Sequence, residues 1–148
     1  LPFTLRLLGG GDREWAAAQF RNAKVEDRVE YAGFCEGAAL RQEYRNASLF
    51  VLPSRHDTYG VVTHEAAASG LPVVISHHAG SSSVLVEEGK TGFIIDPAEI
   101  DVFAAAMESL ILQPALRVRM GKAGRVKAEQ WSLQEMAKKV SAFIRDFA

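Results

Sequence analysis

Residues 53–74 read PSRHDTYGVVTHEAAASGLPVV, and this stretch decides the fold. A continuous apolar run, Leu49–Leu52, leads into it, and a second such run starts at Val73. Between the two runs the pattern predicts a helix over Val61–Ser69. Gly70 ends that helix, because glycine readily adopts the left-handed conformation that closes a helix. The stretch therefore predicts a buried strand, a loop, a short helix and another buried strand.

The same alternation of strands and helices continues on both sides of this stretch. Further strands are predicted at 3–8, 28–34 and 92–95. Helices are predicted at 12–24, 38–46, 100–112, 114–130 and from a Ser132–Glu135 capping box to about Phe147. The strands are continuously apolar, which is typical of a parallel sheet covered on both faces. The sequence thus predicts an α/β fold with a doubly wound, Rossmann-like parallel sheet flanked by helices.

The composition fits one folded domain over residues 1–148. The chain is 48% hydrophobic and 24% charged with a net charge of −1, which excludes a disordered protein. We expect no signal peptide, and no transmembrane helix because an apolar run of about 18 residues is lacking. Cys35 is the single cysteine, so no internal disulfide can form and the default compartment is the reducing cytoplasm.

Positive charge is concentrated towards the C-terminus. Residues 113–148 carry eight Lys or Arg against three Asp or Glu, whereas residues 1–112 are acidic on balance. The basic side chains fall around a helix rather than on one stripe, which favours a solvated helix. Contact with an anionic lipid surface stays an alternative. Nucleic acid is disfavoured, because no aromatic residues interleave with the charges.

Two glycine-containing motifs suggest nucleotide binding but lack a required residue. Gly9–Gly11 follows a strand, yet a dinucleotide-binding G-x-G-x-x-G motif would need glycine where Glu14 stands. Gly89–Thr91 is similar to the end of a phosphate loop, whose first glycine would replace Val84. Both motifs are therefore interpreted as turns, and a nicotinamide cofactor is disfavoured.

The four histidines do not predict a metal site. Zinc needs three or four ligands that converge on one ion. Adjacent residues of an extended chain point to opposite sides, so His77 and His78 are not expected to share an ion. His56 and His77 lie on loops that follow predicted strands, where they could contact an anion or a sugar.

The segment from Asp57 to Glu65 suggests a binding site at the carboxyl ends of the strands. Gly60 lets the backbone approach a ligand closely. The N–H groups of Val61 and Val62 lie in the first helical turn, where anions bind. The Glu65 carboxylate is a pure acceptor that suits neighbouring sugar hydroxyls. These residues predict a site for a sugar joined to a phosphate, although an acidic helix start that interacts with its own dipole explains them equally well.

This stretch resembles the signature of the C-terminal, donor-binding half of the family-4 retaining glycosyltransferases, which have the GT-B fold. The signature consists of Pro-Ser, an acidic residue, an aromatic-Gly pair, Glu-Ala and Gly-x-Pro-Val-Val. In this chain it is Pro53-Ser54, Asp57, Tyr59-Gly60, Glu65-Ala66 and Gly70-Leu71-Pro72-Val73-Val74. The resemblance covers nearly the whole chain. It implies sugar transfer from a nucleotide-diphosphate donor with retention of anomeric configuration, without a cofactor and without a required metal.

The resemblance also implies roles for individual residues. In the active site, Glu65 would bind the ribose hydroxyls and Asp57 would bind a hydroxyl of the donor sugar. The other donor-binding residues would act mainly through backbone or apolar atoms. They are Tyr59, Gly60 and Val61 at the sugar, Val62 at the diphosphate, Gly80 in the neighbouring loop, and Phe34, Cys35 and Leu40 at the base.

Three departures from the family pattern change what we expect. Asp57 stands where Glu is usual, and Ser83 stands where the family has another Glu. The strand that would precede Leu5 is missing, together with the Arg and Lys that neutralise the diphosphate, and the chain starts without Met. We therefore expect a fragment that binds nucleotide weakly and works with an N-terminal acceptor-binding domain. A lipid-linked or polysaccharide acceptor at the inner face of the membrane stays open.

Two other functions stay open at this point. A non-catalytic, flavodoxin-like binding module would account for Asp57, Ser83 and the missing basic pair. Another GT-B enzyme, such as a nucleotide-sugar epimerase or a phosphorylase, would share the fold. A phosphorylase needs a lysine-bound pyridoxal cofactor, and nothing in the sequence marks Lys90 for that role.

Overall fold

The computed structural model describes residues 1–146, so the predicted helix end near Phe147 lies outside the described residues. The chain forms two compact units, Leu1–Arg45 and Asn46–Ala148, each with its own parallel sheet. The predicted α/β class with parallel strands and flanking helices is confirmed, and the strands divide between two sheets. The single domain expected over the whole chain stays a prediction. Within residues 1–146, none of the helices is both long enough and apolar enough to cross a membrane.

The first unit contains two strands and two α-helices. Its elements are β1 (Leu5–Leu8), α1 (Arg13–Asn22), a 3-10 turn (Glu26–Arg28), β2 (Val29–Gly33) and α2 (Gly37–Asn46). The two strands pair in parallel, with Leu5 opposite Val29. Asp12 caps α1 as predicted, because its Oδ1 accepts a hydrogen bond from the N–H of Trp15 at 2.8 Å. The helix ends before Lys24, whose φ of 55° is left-handed and incompatible with a further helical turn.

β1 is exposed on one face, which differs from the predicted burial of every strand on both faces. Arg6 and Leu8 are both exposed. The Arg6 guanidinium forms ion pairs with Glu43 and Glu30, and its Nε lies 2.7 Å from Oε2 of Glu43. Hydrogen bonding to Glu43, and then to Glu30, holds the pKa of Arg6 above its ordinary value. A charged residue in the strand therefore keeps one face in water.

The second unit contains three strands and five helices among the described residues. They are β3 (Phe50–Leu52), α3 (Val61–Ala68), β4 (Val73–Ser76), α4 (Ser82–Leu85), β5 (Gly92–Ile95), α5 (Ile100–Leu112), α6 (Pro114–Glu129) and α7 (Leu133–Asp146). The strand order is β3-β4-β5, and both pairings are parallel. The carboxyl ends of all three strands consequently lie along one edge of this sheet, where the loops that follow them meet.

β4 is the centre of the core in the second unit. All four of its residues are buried, and Val74 and Ile75 are completely so. Phe103 and Leu110 of α5 and Met120 of α6 belong to the same buried cluster as Val74. Burial of both faces explains the continuous Val-Val-Ile run that predicted this strand.

α6 packs against α3. Gly121 of α6 lies against the carbonyl oxygen of Gly70, which follows the last turn of α3. The Nε2 of His64, on α3, donates a hydrogen bond to the carbonyl oxygen of Ala128 at 3.0 Å. These contacts hold α3 along its side and at its C-terminal end. They thereby fix the position of its N-terminus at the loop edge of the sheet.

The predicted capping box at the start of α7 is half formed. Ser132 Oγ accepts a hydrogen bond from the N–H of Glu135 at 3.3 Å, as the motif requires. The Glu135 carboxylate binds Lys138 Nζ at 2.6 Å rather than closing the box. This hydrogen bond holds the pKa of Glu135 below its ordinary value. None of the residues of α7 is buried.

Candidate functional site

Two loops at the carboxyl edge of the second unit's sheet are joined by backbone hydrogen bonds. The first loop (residues 53–60) follows β3, and the second loop (residues 77–81) follows β4. The N–H of Asp57 donates to the carbonyl oxygen of His78 at 3.2 Å. The carbonyl oxygen of Asp57 accepts from the N–H of Gly80 at 3.1 Å. The two loops therefore run side by side and continue the pairing of β3 with β4 beyond the ends of the strands.

Glycine at position 80 allows the two loops to meet. A Cβ at Gly80 would lie 2.3 Å from the carbonyl oxygen of Thr58, so any side chain there would push the loops apart. One residue further on, the N–H of Ser81 donates to the carbonyl oxygen of Tyr59 at 2.6 Å. The structure thus brings together Gly80 and Tyr59, which the sequence predicted to serve one site.

Gly60 connects the first loop to α3. Its φ of 81° is left-handed, a conformation that costs glycine little. A Cβ at this position would lie 3.1 Å from Ser81 Oγ and 3.2 Å from Leu52 Cδ2, so these side chains would have to move slightly to admit it. The carbonyl oxygen of Gly60 accepts from the N–H of Thr63 at 2.9 Å, which closes the first turn. α3 therefore begins tightly against the loops, and Val61, its first residue, is exposed.

Two hydroxyl groups beside Gly60 are buried without a hydrogen-bond partner. Thr63 and Ser81 are both completely buried, and neither side-chain oxygen is hydrogen-bonded in the part of the chain that the structure describes. These oxygens lie 3.4 Å and 3.1 Å from the position that a Gly60 Cβ would take. Buried polar atoms are nearly always hydrogen-bonded in folded proteins, and exceptions are expected at functional sites. The pair therefore favours a functional site at the start of α3.

The two predicted carboxylates lie on one loop–helix segment. Asp57 is half-buried, and its Oδ1 accepts a hydrogen bond from the N–H of Tyr59 at 3.1 Å, which orients the carboxylate. Glu65 is half-buried in the second turn of α3. Val62, the predicted diphosphate contact, belongs to the first turn, and its side chain is 38% exposed. Asp57 therefore lies in the loop, Val62 at the helix start and Glu65 in the second turn, and their predicted contacts with sugar, phosphate and ribose stay predictions.

Comparison with known proteins assigns the family. The family model of the glycosyl transferases group 1 matches residues 2–127. The chain belongs to this family. The predicted resemblance to the C-terminal half of the GT-B glycosyltransferases is thereby confirmed.

One relative of this chain is named as a sugar transferase. Sulfoquinovosyl transferase SQD2 of Arabidopsis thaliana is 33% identical over 112 residues, which make up 74% of this chain. The same match makes up 22% of the plant protein, so the chain spans less than a quarter of the length of that relative.

Two solved structures share the fold of this chain. Sucrose-phosphate synthase from Thermosynechococcus elongatus superposes with a TM-score of 0.85 at 25% identity, and the match covers 97% of this chain and 38% of that one. The pneumococcal O-GlcNAc transferase GtfA, solved in complex with UDP and GlcNAc, superposes with a TM-score of 0.77 at 21% identity. That match covers 97% of this chain and 29% of the pneumococcal one.

The predicted base-contacting residues lie in the first unit. Phe34 is 79% exposed just after β2. Cys35 is half-buried, with its Sγ 3.8 Å from the carbonyl oxygens of Ala32 and Gly33. Leu40 is half-buried on α2. Contact of these three residues with a nucleotide base stays a prediction.

The expectation that His77 and His78 point to opposite sides is wrong. They lie in a turn after β4 rather than in extended chain, so their side chains converge instead of pointing to opposite sides. Their ring centroids are 3.8 Å apart. One ring nitrogen of each histidine and a carboxylate oxygen of Asp96 all lie within 4.8 Å of one another. His56, the other histidine predicted to contact ligand, is exposed in the first loop.

Three residues of these sites are not singled out by the sequence. Thr63 and Ser81 matter because they are buried without partners, which no sequence pattern reveals. Asp96 matters because β5 lies beside β4, which brings its carboxylate to the two histidines. The sequence indicates only where two of these residues lie in the fold. Ser81 and Asp96 both follow predicted strands, at the edge of the sheet where ligands bind.

Proposed function

We propose that this chain is the donor-binding half of a retaining glycosyltransferase that takes its sugar from a nucleotide-diphosphate sugar. The observation that carries the proposal is the joining of the two loops, which sets Asp57 and Gly60 at the start of α3. The family match and the plant sulfoquinovosyl transferase support sugar transfer. The neighbour solved with UDP and GlcNAc supports a nucleotide-sugar donor.

The N-terminus of α3 holds the diphosphate in this proposal. A helix N-terminus attracts anions, because its first N–H groups point outward and its dipole is positive there. Left-handed Gly60 directly precedes Val61, so no side chain stands between the loop and the first turn. We assign the N–H of Val62 to the diphosphate. The helix end then stabilises the departing diphosphate, so the transfer itself requires no metal ion.

The two carboxylates bind hydroxyl groups on opposite sides of the diphosphate. Glu65 lies one turn into α3, within reach of the ribose of a nucleotide seated at the helix start. Asp57, oriented by the N–H of Tyr59, binds a hydroxyl of the transferred sugar. The backbone of Tyr59, Gly60 and Val61 lines the sugar, and Gly80 keeps the second loop close enough to enclose it.

Catalysis in this proposal consists of positioning and charge stabilisation. The bond between the anomeric carbon and the diphosphate oxygen breaks, and the acceptor oxygen bonds to that carbon on the same face, which retains the configuration. The proton of the acceptor hydroxyl passes to the departing diphosphate. An N-terminal domain of the parent protein supplies the acceptor site. We place the enzyme in the cytoplasm, in line with its single Cys35, and at the inner face of the membrane if the acceptor is lipid-linked rather than a polysaccharide.

Calorimetric titration of the purified chain with UDP, GDP and ADP tests the proposal. We expect saturable binding of one of the three diphosphates. Glu65→Gln should weaken that binding by about 10- to 100-fold, because hydrogen bonds to a charged group contribute about 1.5–3 kcal/mol. Glu108→Gln makes the same chemical change at an exposed position of α5 and should leave the affinity unchanged.

Two outcomes would contradict the proposal. One is a folded chain, shown by its circular dichroism, that binds none of the three diphosphates. The other is binding that Glu65→Gln leaves intact, which would remove Glu65 from the site even if the family assignment stands.

A further inference from the structure

A cluster of metal-binding side chains lies where β4 and β5 end. His77 and His78 follow β4, and Asp96 directly follows β5. One ligand atom from each of the three lies within 4.8 Å of the other two. We propose that His77, His78 and Asp96 bind one divalent transition-metal ion of the zinc type. This site takes no part in the sugar transfer proposed above and stands or falls separately from it.

The three ligand atoms are close enough to close around an ion. Tetrahedral zinc with bonds of about 2.0–2.1 Å places neighbouring ligand atoms about 3.3 Å apart. Closing the cluster from 4.8 Å therefore takes side-chain shifts of about 1.5 Å. His77 and His78 are exposed, so their rings can rotate into place without displacing core atoms. Their ring centroids already lie 3.8 Å apart.

The backbone that carries the three ligands is fixed by hydrogen bonds. The N–H of His77 donates to the carbonyl oxygen of the residue before Asp96 at 3.2 Å, which links the two chain segments directly. The N–H of His78 donates to the buried Oγ of Ser76 at 3.0 Å. Asp96 Oδ1 accepts from the N–H of Ala98 at 2.8 Å, which orients the carboxylate. Ligands positioned in this way need little ordering when an ion binds.

The ligand types select the class of ion. Imidazole nitrogen suits zinc, cobalt and nickel, whereas magnesium and calcium prefer oxygen ligands throughout. One carboxylate and two imidazoles form a three-ligand set of the kind that leaves a fourth position on zinc to water or to a small ligand.

An ion at this site would stabilise the second loop. The histidine pair lies in the second loop. Its His78 carbonyl oxygen accepts a hydrogen bond from the N–H of Asp57 in the first loop, so the pair belongs to the loop contact at the candidate donor site. Binding of an ion to the folded chain alone raises the midpoint of thermal unfolding. The ion would tie this loop to the end of β5.

Calorimetric titration of the untagged, EDTA-treated chain with zinc tests the site. The absorption spectrum of the cobalt-loaded chain reports the ligand geometry. We expect one ion per chain and a higher thermal midpoint. His77→Ala, His78→Ala and Asp96→Asn should each weaken binding by about tenfold or more, since even outer-shell changes have effects of that size. The exposed His56→Ala is the matched control and should bind as the parent chain does.

Three results would overturn the proposal. They are the absence of saturable zinc binding, an affinity that both His77→Ala and His78→Ala leave unchanged, and an equal loss in His56→Ala. Because His77 and His78 are exposed, their variants are expected to fold, and His77→Gln repeats the test with a side chain of similar polarity. UDP titration of the same variants separates a failure here from a failure of the donor proposal.

Discussion

Gly121 of α6 and Gly70 after α3 approach so closely that a Cβ on Gly121 would lie 1.9 Å from the carbonyl oxygen of Gly70. No side chain fits between two backbones at that distance. Gly124, one turn further along α6, faces the same region, but a Cβ there would be no closer than 3.7 Å to its neighbours. The close backbone contact therefore requires glycine at position 121, whereas the space around position 124 admits a Cβ.

Alanine substitutions at these two glycines should have opposite effects on stability. In an exposed helix, glycine to alanine gains up to about 1 kcal/mol from helix propensity. Gly124→Ala should keep most of that gain. Gly121→Ala should instead lose at least about 2 kcal/mol of unfolding free energy, because α6 has to move away from α3. Urea denaturation of both variants measures the difference, and equal stabilities would show that α6 and α3 are not in contact here.

Gly80→Ala should separate the two loops of the candidate site. Its Cβ would meet the carbonyl oxygen of Thr58 at 2.3 Å, so the loop hydrogen bonds must lengthen. We expect a loss of about 1–3 kcal/mol in stability and loss of nucleotide-diphosphate binding in calorimetry. Gly10→Ala is the control, because nothing lies within 4 Å of a Cβ there and its φ is not left-handed. Unaltered binding by Gly80→Ala would argue against a ligand between these loops.

Two buried threonines should respond differently to the same isosteric change. Thr91 Oγ1 accepts from the N–H of Glu87 at 2.9 Å and donates to the carbonyl oxygen of Leu85 at 3.2 Å, whereas Thr63 Oγ1 has no partner within residues 1–146. Thr91→Val should cost about 1–3 kcal/mol, because the buried carbonyl oxygen of Leu85 and the half-buried N–H of Glu87 both lose this partner. Thr63→Val should be neutral or stabilising by about 1 kcal/mol. Thermal unfolding compares the pair, and a matching loss in Thr63→Val would reveal a hydrogen bond at that hydroxyl.

Glu87 should make stability depend on pH in the acid range. Hydrogen bonds from Lys90 at 2.6 Å and Lys127 at 2.9 Å, in that order, lower its pKa from 4.5 to about 2. A lowered pKa means that the folded state favours the carboxylate. Its contribution is therefore complete above the unfolded pKa near 4.5 and disappears as the pH falls through about 2.

Glu87→Gln should consequently be less stable than the parent chain at about pH 7, and the difference should shrink between about pH 4.5 and pH 2.5. Urea denaturation across this range measures it, and Lys127→Met should shrink the same difference by removing one partner. A gap between parent and Glu87→Gln that stays constant with pH would show that these ion pairs do not form in solution.

Elements with a strong local signal are predictable from the sequence. The α5 helix has the predicted bounds, Ile100–Leu112, because apolar residues recur at helical spacing between clear ends. β5 also has its predicted bounds. The one-turn helix α4 is missed, since Ser82–Leu85 is too short to show any period. The sequence overestimates the burial of β1. Its leucines suggest a strand buried on both faces, but the charged Arg6 keeps one face exposed to water.

The candidate site is predictable where it depends on chain order and not where it depends on packing. Asp57, Gly60 and Glu65 can be singled out from the sequence, because they lie on one continuous segment with a recognisable signature, and their roles stay a prediction. The convergence of His77 and His78 requires knowing that the chain turns immediately after β4. The proximity of Asp96 requires the pairing of β4 with β5. Both are properties of neighbouring strands, and a single sequence does not state which strands are neighbours.

The packing of α3 restricts how this part of the chain can change during evolution. Contacts at both ends oppose a shift of the helix along its axis, because Gly60 lies close to Ser81 and Leu52 at one end and Gly121 lies against Gly70 at the other. We therefore expect a change of ligand at the candidate site to be accommodated by exchanging side chains in the loops while the helix stays in place. Asp57, which stands in the first loop where the family pattern has Glu, is a change of this kind.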